Sequence, residues 1–202
     1  MPPPDDKKLT QAYDFCVKSM FGVEAISKSK DRFEFRGAVW NSDDNTYSNT
    51  FSIGIDSTSY GIDDMRKPNG GGAAGFNVFR RGQTGIYSFQ ATYFGKTGTF
   101  QSNTVFVAND TGRINERFTN RFERRGIGLT AREIVTYHEV GNALATITGK
   151  DHLPDNYVDP ITGKQDPEAY KEEQHAGQAF ENCIFKNYRN LLGGRGLDAN
   201  AR

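Results

Sequence analysis

The chain has 202 residues, enough for one domain of ordinary size with a sizeable core. Its 25 Lys and Arg balance 25 Asp and Glu, so net charge supplies no overall pull toward nucleic acid or an anionic membrane. No apolar run approaches the roughly eighteen residues a bilayer-spanning helix needs, which argues against a membrane partner.

The polar opening MPPPDDKK lacks a signal-peptide core, and residues 1–8 read as a disordered lead to a single domain over 9–202. Leu9, Ala12, Tyr13, Cys16, Val17 and Met20 follow helical spacing. From Arg32 onward the chain turns rich in Phe, Tyr, Ser, Thr and Gly. Phe33, Phe35, Gly37 and Val39 alternate, as do Phe51, Ile53 and Ile55, and both sets predict strands. Further strands are expected over Phe76–Phe79, Ile86–Phe94 and Thr99–Asn109, with Lys96-Thr97-Gly98 turning between the last two. The Gly-rich loop Asn69–Gly75 lacks the Lys-Ser/Thr of a phosphate-binding loop. The order predicts an α+β fold, an antiparallel sheet with packed helices.

Arg113, Arg117, Arg121 and Arg125 recur every four residues, with Arg124 beside them. On a helix this stripe could track phosphates or dock an acidic partner. A solvated face paired with Glu116 and Glu123 is the favoured reading, so a nucleic-acid partner is not expected.

Thr130 to Thr148 predicts a helix, with Thr130 and Glu133 at capping-box spacing and Gly149 as its stop. Ala131, Ile134, Val135, His138, Gly141, Asn142 and Ala145 share one face. A mid-helix glycine costs roughly 1 kcal/mol relative to Ala, so Gly141 points to a close approach by another group. Within this helix stands His138-Glu139-Val140-Gly141-Asn142, one residue from H-E-x-x-H. In the intact motif two imidazoles one turn apart bind a tetrahedral Zn²⁺, and the Glu acts as general base on its water. Asn142 offers a neutral amide oxygen, a weaker zinc ligand than imidazole. It could equally hydrogen-bond His138 as an ordinary core pair.

The segment VTYHEVGNALATITGK resembles the active-site helix of zincin-type metallopeptidases. The metzincin extension is missing, since Ala145 and Thr148 stand where its Gly and third His would be. The likeness is to the zincins with a Glu ligand on a following helix. It implies a zincin-like fold, a peptide or protein substrate, and a zinc cofactor held by His138, Asn142 and Glu181. Glu139 would be the catalytic base, and activity would be reduced or lost through Asn142. Glu181 is favoured because it falls within the apolar arc of Phe180, Ile184, Phe185, Tyr188, Leu191 and Leu192 in the helix expected over Pro167–Leu192, where an unpaired carboxylate is costly. Glu172 and His175 lie off that arc, and His152 reads as a loop residue. The upstream run Asn103–Asn109 stands where zincins carry their edge strand. Ala179-Phe180-Glu181-Asn182, Arg189 and the Gly-rich end resemble effector-type zinc peptidases that bacteria deliver as toxins, which would make this chain secreted or delivered into a target cell. The alternative is a binding protein that keeps the fold without the metal. Cys16 and Cys183 could pair if the chain ends meet, although two buried thiols are the favoured reading.

Overall fold

A computed structural model describes residues 6–41, 45–65, 72–79, 84–93, 96–114, 128–150 and 167–201. Helix α1 (Asp6–Phe21) starts inside the stretch expected to be a disordered lead. Strands β1 (Glu24–Lys28), β2 (Arg32–Asn41), β3 (Thr46–Asp56), β4 (Gly75–Val78), β5 (Ser88–Tyr93), β6 (Lys96–Gln101) and β7 (Thr104–Val107) follow. A short 3-10 turn (Thr111–Ile114) precedes helices α2 (Ala131–Thr148) and α3 (Pro167–Leu192). The fold is α+β.

The main sheet runs in the order β1-β2-β3-β7-β4, and β5 and β6 form a separate two-stranded sheet. β7 lies parallel to β3 and antiparallel to β4, so the sheet is mixed, not purely antiparallel as expected. A parallel neighbour needs a long crossover, and the chain between β3 and β7 includes β4, β5 and β6.

The run Asn103–Asn109 is not an edge strand. All four residues of β7 are buried, because Val105 and Val107 face the main core while Phe106 stacks on Phe76 at 4.6 Å in a second apolar cluster. A strand covered on both faces reads as a continuous apolar run, and β7 is one. The edge is β4. The expected strand Thr99–Asn109 is broken by Ser102 and Asn103, whose φ of 48° ends β6 and opens β7. Lys96, Thr97 and Gly98 lie within β6, where Lys96 pairs with Tyr93 of β5.

The three helices share one core with the sheet. Tyr13, Cys16 and Val17 of α1, Ile134 and Leu144 of α2, and Phe180, Ile184 and Phe185 of α3 pack with Phe33, Phe35 and Ile53. Cys16 and Cys183 form a disulfide across 167 residues of sequence, correcting the reading of two free thiols. The α1 and α3 faces that bury both cysteines bring the chain ends together. The described helices include none long and apolar enough to cross a membrane.

Candidate functional site

α2 forms as its sequence predicts. Thr130 accepts the Glu133 N–H, Glu133 accepts the Thr130 N–H in return, and Gly149 closes the helix in the left-handed region. Its circumference is nearly all covered, which fixes the rotation of His138, Glu139 and Asn142. α3 crosses it at a point with no room for side chains. A Cβ on Gly177 would stand 2.6 Å from both the His138 carbonyl oxygen and Asn142 Oδ1, and one on Gly141 would stand 2.7 Å from Phe180 Cβ. The close approach inferred at Gly141 is therefore made by Phe180.

This crossing brings His138 and Glu181 together. His138 Nδ1 lies 2.9 Å from Glu181 Oε2, with the His side chain 18% exposed and the Glu side chain 1%. Glu181 is thus paired, as a carboxylate inside an apolar arc must be. Its anchoring of Nδ1 sets the orientation of the imidazole.

Glu139 is nearly buried and accepts a hydrogen bond from Asn77 Nδ2 at 3.2 Å. Asn77 belongs to β4, whose path against α2 requires Gly75: a Cβ there would stand 2.9 Å from both Glu139 Cγ and Val135 Cγ1. Gly75 and Asn77 face α2, while Phe76 and Val78 enter the second cluster. The Ala108 N–H bonds Ala74 O at 2.8 Å, and antiparallel ladders alternate their bonds, so Gly75 and Asn77 turn their backbone groups away from β7. The strand expected over Phe76–Phe79 is present as β4, one residue earlier, but nothing in the sequence marks Asn77 as the partner of Glu139.

Asn142 is buried and does not pair with His138. Its Oδ1 accepts the Gly177 N–H at 2.7 Å, clasping α3 one turn before Glu181. Its Nδ2 is buried with no acceptor among the described residues. Such an orphan costs about 1–3 kcal/mol, and a donor group wants an anion or a lone pair, the opposite of a cation. The residues do not fit a catalytic zinc, which takes three protein ligands and a water. His138 and Glu181 suit the metal, Asn142 Oδ1 is committed to a backbone amide, and no group of three His, Cys, Asp or Glu is gathered among the described residues. His152, Arg117, Arg121, Arg124, Arg125 and the side chains of Glu172 and His175 lie outside the described residues. Of the arginine stripe, Arg113 is described, in a 3-10 turn and bonded to Asp63 at 2.9 Å and Asp110 at 3.0 Å.

Behind the site Lys28 Nζ donates to Tyr137 Oη at 3.0 Å and lies over the Tyr13 and Tyr137 rings. Burial pushes the lysine below its ordinary range, and raises both tyrosines. The unfolded chain therefore binds the Lys28 proton more tightly, and that lysine's contribution to stability rises with pH until an exposed lysine deprotonates, near pH 10.4. The tyrosines act oppositely above about pH 10. Urea titrations between about pH 8 and pH 10 should show less of that rise in Lys28→Met. An identical pH dependence in both proteins would contradict the assignment.

Compared with protein-family models, curated proteins and solved structures, the chain matches none of them.

Proposed function

We propose that this chain is a zincin-like peptide-binding domain whose motif helix does not complete a zinc site. The bond from the Gly177 N–H to Asn142 Oδ1 carries the reading, because it gives the residue at the second ligand position a structural task. The edge strand supports the peptide. β4 ends the strand order of the described sheet beside Glu139, and an edge strand is where an extended segment can add as a further strand. Glu139 and His138 then present an acceptor and an imidazole to the segment's polar groups. The disulfide fits a protein working in an oxidising compartment, hence a secreted one.

A second reading keeps the zinc peptidase with weakened activity, as a delivered toxin. One observation favours it: His138 and Glu181 meet at 2.9 Å on the two helices where the resemblance expects ligands. Fluorescent unfolded casein separates the two readings. Retention of intact casein, lost in Asn77→Pro, is the expected result, since proline removes an N–H turned away from β7 without breaking the ladder to β7. Zinc-dependent cleavage that Glu139→Gln abolishes would establish the peptidase instead.

A further inference from the structure

Helix α3 ends in a reversal that lays the chain back on the helix itself. Gly194 takes the left-handed region at φ 70°, and the N–H groups of Gly193, Gly194 and Arg195 close on the carbonyls of Arg189, Leu191 and Asn190. The returning chain then meets Asn187, which is 0% exposed. Its side-chain amide grips the backbone of Asp198 twice. Oδ1 accepts the Asp198 N–H at 2.7 Å, and Nδ2 donates to the Asp198 carbonyl at 3.0 Å. Leu197 is half-buried, Ala201 is buried, and the rest of residues 193–201 is exposed.

The same amide also faces the disulfide. Asn187 Nδ2 lies 3.6 Å from Cys183 Sγ and 3.8 Å from Cys16 Sγ, and it donates to the Cys183 carbonyl at 3.0 Å. Both cysteines are 0% exposed, in the core that α1 and α3 share with the sheet. One buried carboxamide therefore touches both sulfurs and holds the tail. Two thiols in contact need more room than a bonded pair of sulfurs, and a close-packed core resists the extra volume. The helix walls around the sulfurs are packed, whereas the tail gripped by Asn187 is mostly exposed and has a glycine pivot. The site yields toward the tail.

We propose that residues 193–201 form a redox-controlled latch, seated on Asn187 while Cys16 and Cys183 are joined and released when a dithiol reduces them. A thiolate of the dithiol attacks one sulfur, breaks the Cys16–Cys183 bond and forms a mixed disulfide. The second thiol of the reductant then displaces the protein sulfur and closes a disulfide of its own. The reductant gives up two electrons and two protons, and both cysteines end as thiols. Opening of the latch comes before the attack, because neither sulfur is exposed while Asn187 and the tail are in place. Oxidising compartments keep the tail seated, and reducing ones free it. The latch is separate from the β4 edge and does not depend on the peptide-binding reading.

Hydrogen exchange of single amides in the full chain, followed by NMR with and without dithiothreitol, tests it, with thiol content read in parallel by alkylation. Reduction should speed exchange of the Asp198 N–H about tenfold or more, while the Val140 and Leu144 amides of α2 stay protected. Asp198→Pro removes the N–H that Asn187 accepts and leaves the core untouched. Its disulfide should be reduced about tenfold faster than the parent's at equal dithiothreitol, whereas Asp198→Ala keeps the N–H and should match the parent. Unchanged Asp198 exchange after reduction would overturn the latch. So would loss of protection at Asp198, Val140 and Leu144 together, which marks a disulfide that only holds the fold. Equal reduction rates in Asp198→Pro and the parent, or resistance to dithiothreitol in both, would overturn it as well.

Discussion

Replacing both cysteines by serine is expected to destabilise the protein by roughly 2–5 kcal/mol, among the largest effects any change outside the site should produce. The bond joins α1 to α3 across 167 residues, and long loops lose the most chain entropy when closed. It sits two residues after Glu181, in contact with the amide of Asn187. Loss of the bond should therefore loosen the C-terminal half of α3 together with the core. Urea titrations of the double variant against the parent read the effect directly. A difference within about 0.5 kcal/mol, the range of neutral surface changes, would mean that the two helices are held by packing alone.

Gly177→Ala should cost about 1–3 kcal/mol, the usual penalty for overpacking a close contact. The new methyl meets a backbone carbonyl and a buried amide at 2.6 Å, and the carbonyl cannot swing aside. α2 and α3 must separate, which lengthens the bond to Asn142 and the His138–Glu181 contact. Asn142→Ala removes one of the two obstacles and the acceptor together. The two substitutions should therefore be non-additive, with the double variant less destabilised than the sum of the singles. Strict additivity in a double-mutant cycle would break the link between Asn142 and the helix crossing.

The helices were legible in the sequence because their signals are local. Capping by Thr130 and Gly149, and the arc from Phe180 to Leu192, fixed α2 and α3 within a residue. The need of Glu181 for a partner was legible for a related reason, since a carboxylate inside an apolar arc demands one, but the expectation put it on a zinc shared with His138 and not on the imidazole itself. The sheet was less legible. β1 is a solvent-exposed edge with no apolar alternation, and its sequence EAISK carries no strand pattern. β7 was put at an edge by the resemblance alone, although its unbroken run Val105-Phe106-Val107 is the pattern of a strand covered on both faces. Asn142 was the hardest residue to read. Its spacing from His138 suggested a ligand or a partner for that histidine, while its real partner is a backbone N–H exposed by a glycine 35 positions away.

The central claim is that Asn142 serves the helix crossing and leaves the zinc site short of a ligand. Zinc titration of the unmodified protein, by calorimetry and by the shift of its thermal melt, tests this most directly. The account predicts no stoichiometric binding and no rise in melting temperature, since a ligand at a hundredfold excess over its dissociation constant would add about 2.7 kcal/mol. One zinc bound per chain, with stabilisation of that size that is lost in Glu181→Gln and in Asn142→Ala, would contradict it.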